Sequence, residues 1–224
     1  MKRLHIIEAT VFAAGIAIGV ACAGDSNAQT TTRAIPDDTA AVARFLGVVR
    51  GADPLVCEMA ARTADLHGSW SNWGSIGGRA LVLDSAASAL IDWVGRSHSD
   101  ATIVPPLSRG IRDADACVRR LAGSLLARVR HASALEALMA GLGDAQAGTR
   151  EVAALGLGMA DATSAEEALK GRLTDQSPAV RRAAAWSLGE LEAKSAVSAL
   201  IDLLANDADA RVRQSAAWAI GSIK

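Results

Sequence analysis

Three histidines, His67, His98 and His131, recur at nearly regular spacing, and Cys57 and Cys117 stand 60 residues apart. Imidazole and thiolate are the ligands that zinc sites need, and paired thiols in an oxidising compartment close into disulfides. Metal binding and cross-linking are thus the chemistries these residues invite. Other reactive constellations are missing from the sequence: there is no GxSxG, HExxH, phosphate loop or CxxC pair, and no Cys with a suitably placed His and acid. Trp70 and Trp73 form a third group of interest, because Trp is enriched where proteins grip one another.

What these residues can do depends on the elements that carry them. Half of the chain is hydrophobic but only 3% is aromatic, with no Tyr, and Ala dominates. That composition favours closely packed helices over a sheet sandwich. From Val180, steps of 31 residues back reach Thr149, Val118, Ala87 and Val56, and 32 forward reaches Val212. Neighbouring columns agree: Arg119, Arg150, Arg181 and Arg213; Asp113, Asp144, Asp175 and Asp207; Ala122, Ala153, Ala184 and Ala216; Leu126, Leu157, Leu188 and Ile220. The other half of each unit repeats Leu107, Leu138, Leu169 and Leu200, then Ile111, Leu142, Leu173 and Leu204, four residues apart on one helical face. Each unit reads as helix, turn, helix, with Gly158, Gly189 and Gly221 placed to help end the first helix. A unit repeated at this period buries its apolar face only against its neighbours.

The layers then decide the chemistry. Packed helices lie about 8 to 10 Å apart, whereas zinc-binding nitrogens sit about 2.0 to 2.1 Å from the metal, so one ion cannot take His67, His98 and His131 from different layers. Cys57 and Cys117 fall two layers apart in this register, beyond the roughly 7 Å between Cα atoms that a disulfide tolerates. No disulfide is expected.

The Asp-x4-(Val/Thr)-Arg pattern followed by AAxxLG resembles the HEAT family, in particular the short HEAT-like repeats first noted in phycobilisome lyases. The resemblance implies an all-α superhelical solenoid of about five to six repeats of 31–32 residues. Residues 113–224 carry it as regular repeats and 51–112 as degenerate ones, within a solenoid spanning 37–224. It further implies that Asp113, Arg119, Asp144, Arg150, Asp175, Arg181, Asp207 and Arg213 are a structural ladder along the stack. In that family deoxyhypusine hydroxylase holds two irons with His-Glu dyads; here the three histidines are followed by Gly, Ser and Ala, so no catalytic residue, metal or cofactor is expected.

Residues 1–28 read as an export signal, with Lys2 and Arg3, an apolar stretch from about Ala9 to Ala23, and small residues after it. Cleavage after Ala28 is preferred to cleavage after Ala23. Gly19-Val20-Ala21-Cys22 is a loose lipoprotein box, leaving a lipid on Cys22 as the alternative to a free periplasmic or secreted chain. Residues 29–36 form a flexible lead-in, and Asp37 or Asp38 caps a helix carrying Val42, Phe45, Leu46 and Val49. With 23 basic against 24 acidic residues, nothing marks a nucleic-acid binder.

The functional expectation is therefore a non-catalytic exported scaffold that binds another protein or peptide. The glycine-rich run 67–80 carries Trp70 and Trp73, either as a patch for a partner or, the preferred reading, as a plug over the first layers. In the family the second helices line the concave surface, which offers Arg109, Arg112, Glu136, Met139, Glu167, Lys170 and Asp202 to a partner. Trp93, Trp186 and Trp218 share one register as core or groove-lining residues. An alternative assembly runs through the C-terminal helix with Trp218, Ile220 and Ile223.

Overall fold

The computed structural model describes residues 38–53, Cys57 and 101–224. They lie within one compact unit, Ile35–Lys224. The expected export signal and lead-in, with Trp70, Trp73, Trp93, His67 and His98, fall outside the described residues.

Every element among the described residues is helical. In order they are α1 Asp38–Val49, α2 Val104–Gly110, α3 Ala116–Arg128, α4 Ala132–Leu142, α5 Ala147–Met159, α6 Glu166–Arg172, α7 Pro178–Glu190, α8 Val197–Asn206 and α9 Ala210–Ser222. Short 3-10 turns, Ala101–Ile103, Thr163–Ala165 and Lys194–Ala196, lead into α2, α6 and α8. The starts are written in the sequence. Asp115 accepts from the amides of Cys117 and Val118, and Asp209 from those of Arg211 and Val212, so each caps its helix. Pro178 opens α7, where its missing amide costs no hydrogen bond.

The first helices of successive units, α3, α5, α7 and α9, pack side by side, and the second helices α4, α6 and α8 each lie against the first helix that follows. The repeat columns become the core. Ala122, Ala153, Ala184 and Ala216 are fully buried where first helices approach, and Leu107, Leu138, Leu169 and Leu200 are fully buried under the second helices. Ser187 is a fully buried polar residue of the first helices, and its hydroxyl donates to the carbonyl of Ala154 in the preceding layer at 2.8 Å. A buried hydroxyl without such a partner would carry a desolvation penalty.

Two expectations are corrected. Cys57 and Cys117 form a disulfide, with Cα atoms 5.6 Å apart. The layer count behind the opposite expectation fails at the N-terminal end. Arg112, just after α2, pairs with Asp144, 32 residues on, just after α4. Arg50, just after α1, pairs with Asp113, 63 residues on, just after α2. Since α1 packs directly on α2 and α3, Cys57, shortly after α1, comes beside Cys117 at the start of α3. The second correction concerns the glycines. Gly158 and Gly189 lie within α5 and α7; the residues that end those helices are Asp161 and Glu192, in the left-handed region at φ 54° and 49°. The amides of Ala162 and Ala193 reach back to Leu157 and Leu188, closing each helix end. Gly158 and Gly189 serve close approach: a Cβ on Gly158 would lie 2.7 Å from the Ser187 hydroxyl, and one on Gly189 would lie 2.7 Å from Ala219.

Candidate functional site

Along one edge of the stack the Asp and Arg columns meet. Each Asp first orders its own turn by accepting from an amide two residues on: Asp113 from Asp115, Asp144 from Gln146, Asp175 from Ser177 and Asp207 from Asp209. Each Arg then clasps its own turn, Nη1 donating to two carbonyls: Arg119 to Asp113 and Ala114, Arg150 to Asp144 and Ala145, Arg181 to Asp175 and Gln176, Arg213 to Asp207 and Ala208. Arg150 also reaches both carboxylate oxygens of Asp175 at 2.8 Å, and Arg181 both of Asp207 at 2.6 and 2.9 Å. Such two-toothed pairs fix geometry as well as charge.

Nearer the N-terminus the donor changes. Asp144 is held by Arg112, just after α2, and Asp113 by Arg50, just after α1. Arg119 lies against Gly148 instead, where a Cβ would stand 2.7 Å from its Nε. The electrostatics follow these contacts. Arg150 holds the Asp175 carboxyl below its ordinary value against the opposing effect of burial, as Arg181 does for Asp207 and Arg50 for Asp113. For Asp144 the leading cause is the Gln146 amide, and for Asp115 the Val118 amide. Arg150 and Arg181 are correspondingly raised by their carboxylate partners.

These rungs are occupied with one another. The turns between first and second helices shape a separate surface. In the α5–α6 and α7–α8 turns a left-handed residue leads into a 3-10 turn. At the equivalent place between α3 and α4, Val129 and His131 are extended, and His131 caps α4 through Nδ1, accepting from the Ser133 amide at 3.3 Å with the Ser133 hydroxyl at 2.8 Å. Where this divergent turn faces the regular one, a groove of about 870 Å³ opens. Leu135, Met159 and Trp186 provide its apolar lining, Arg128 and Arg130 its cations, and Asp161 and Glu190 its anions. A smaller hollow of about 190 Å³, between Arg120, Ser124, Leu155 and Met159, shares Met159 and Trp186 with it. Trp186 is half-buried and stacks on Trp218, ring centroids 6.3 Å apart and planes 15° apart.

The residues expected on the second helices are dispersed along the stack. Arg109, Glu136, Met139, Glu167 and Asp202 are exposed. Arg112 is exposed but bonded to Asp144, and half-buried Lys170 is bonded to Glu167 at 2.7 Å. Ile201, half-exposed on α8, was not singled out from the sequence although it shares the register of Met139 and Lys170. Of the groove lining, only Trp186, His131 and Gly158 are singled out in the sequence, the tryptophan as a core or groove-lining residue, the histidine for metal chemistry and the glycine as a helix end, and none of them marks this groove. Its sequence signal is the loss of the unit pattern at 127–131, where Ala127 replaces the glycine and Arg130-His131 replace the helix-ending pair. Among the described residues, no three His, Cys, Asp or Glu side chains gather closely enough to hold a metal.

Comparison with known proteins places these layers. The HEAT repeats family matches residues 141–221. No curated protein matches the sequence. Among solved structures, human deoxyhypusine hydroxylase in complex with glycerol is similar at a TM-score of 0.47 and 20% identity, over 82% of this chain and 66% of that one. Residues 141–221 are thus similar to HEAT repeats, and the described residues form an all-α solenoid.

Proposed function

We propose that this chain is a non-catalytic, exported protein-binding module that grips a segment of another protein in the groove at Trp186. The observation that carries the reading is the groove itself. At about 870 Å³ it combines a half-buried Trp, Met159 and Leu135 with charges of both signs, the composition of a surface that takes a peptide or helix of mixed character. HEAT repeats at 141–221 support an interaction or scaffold role. The balanced charge of 23 basic and 24 acidic residues gives no support to nucleic acid as the partner. Export is supported by the signal-like 1–28 and by the Cys57–Cys117 disulfide, which persists in oxidising compartments. The membrane is reached only through that N-terminal segment, as a signal or as a lipid on Cys22.

Photo-crosslinking in intact cells tests the proposal. A photoreactive side chain in place of Glu190, on the rim of the groove, is expected to give one dominant protein adduct. The same group in place of Ala205, exposed at the end of α8, is the control. Equal adducts from both positions, or none from position 190, would sink the groove assignment.

A further inference from the structure

The groove at Trp186 carries its charges in order. Arg128, Met159 and Glu190, at steps of 31 residues, are the last residues of α3, α5 and α7, so one row crosses three layers as cation, thioether and anion. Exposed Arg130, two residues on, strengthens the positive end, and exposed Asp161 adds a carboxylate. With α9 packed on α7 beyond it, the row does not belong to the last layer. Two turns earlier on α5 and α7, Glu151 and Arg182 pair with each other across neighbouring layers at 3.1 Å. In the groove Met159 keeps the two signs one layer further apart. At about 8 to 10 Å between packed helices, the ends of the row lie about 16 to 20 Å from one another, too far to close an ion pair between them.

The spacing of this row selects the backbone that can match it. One face of a polyproline II segment repeats every three residues at about 3.1 Å each, or about 9.3 Å, inside the layer spacing of about 8 to 10 Å. A β-strand repeats a face at about 6.6 Å, and the nearest match on a helix, seven residues, is about 10.5 Å. Grooves lined by aromatic side chains are also where polyproline II segments dock. The middle of the row has room for a side chain. Ser124, Leu155 and Trp186 form a second column at the same steps, and the hollow of about 190 Å³ lies where small Ser124 gives way to Trp186, against Leu155 and Met159.

Resting on the reading of the groove as a binding site, we infer that its occupant is an extended, polyproline-like segment with an acidic, an apolar and a basic residue at three-residue intervals. The acid meets Arg128 and Arg130. The apolar side chain enters the hollow beside Met159. The base meets Glu190, its stem lying along Trp186 one turn away on α7.

The probes are end-capped synthetic heptapeptides titrated calorimetrically into the full chain. Glu-Pro-Pro-Leu-Pro-Pro-Lys is expected to bind about fivefold more tightly than Glu-Pro-Pro-Leu-Pro-Pro-Glu or Lys-Pro-Pro-Leu-Pro-Pro-Lys, the scale of exchanging one attractive rim contact for a repulsive one. Glu190→Lys in the protein should move the preference to Glu-Pro-Pro-Leu-Pro-Pro-Glu with an unchanged thermal midpoint. Equal binding of the three peptides, or a preference that Glu190→Lys leaves in place, overturns the inference. So does tighter binding of a helical peptide of about 15 residues carrying Glu, Leu and Lys seven residues apart, which would make a helix the occupant. Absence of binding by every peptide up to about 1 mM overturns it as well. The adduct expected in cells from position 190 does not depend on these outcomes, so a wrong occupant and a wrong groove give different results.

Discussion

Asp175 takes two nitrogens of Arg150 with its side chain only 5% exposed and that of Arg150 14% exposed. An ion pair so placed contributes little over an apolar replacement, but removing one member leaves the other buried and unsatisfied. Asp175→Asn is expected to lower unfolding free energy by about 3 kcal/mol, read by chemical denaturation. Arg50→Ala, at a pair whose arginine is 56% exposed, should change it little. The same carboxylates set the acid limit. Asp113, Asp144, Asp175 and Asp207 are all held below their ordinary values in the folded chain. Their stabilisation is therefore fully present above the unfolded-state value of about 4 and is lost as pH falls through the lower folded-state values. Thermal midpoints should hold from neutral pH to about pH 5 and drop below about pH 4, less steeply in Asp175→Asn. A midpoint that rises on acidification would contradict this assignment.

At the scale of elements, the period of the apolar columns was enough to locate both helices of every regular unit, because Ala and Leu recur at positions that face the neighbouring layer. What could not be read was how the units end. Gly158 and Gly189 look like terminators in sequence, yet a crossing helix demands their lack of a Cβ, while Asp161 and Glu192 adopt the left-handed conformation. Spacing along one chain does not reveal which neighbour fills the volume beside a residue. The distinction is measurable. Gly158→Ala should destabilise by about 2 kcal/mol through overpacking against Ser187. Gly221→Ala, in open space within α9, should stabilise by up to about 1 kcal/mol through helix propensity. Equal effects would show that both glycines serve the same local purpose. The groove was legible only in part for a similar reason: Trp186 stood out by type, but its opening depends on a turn at 128–131 that departs from its counterparts in backbone conformation.

Across the whole molecule, the N-terminal layers are joined differently from the rest. From Arg112 onward, neighbouring layers are linked by residues 25 to 32 positions apart, whereas Arg50–Asp113 and Cys57–Cys117 span 63 and 60. An extrapolated period therefore misjudged the disulfide even though it described the later layers. Closing a loop of that length is expected to contribute about 4 kcal/mol by restricting the unfolded chain. Replacing both cysteines by serine should lower stability by that order, and non-reducing peptide mapping of envelope-recovered protein should find the link; free thiols there would contradict an oxidising destination. The rungs and the disulfide hold the layers together, and the proposed binding site is the groove. The most direct measurement is the yield of the adduct formed from position 190 when Met159, 36% exposed on the groove wall, is changed to Asp. Loss of the adduct with an unchanged thermal midpoint is the predicted result; an undiminished adduct would contradict the assignment of the groove as the binding site.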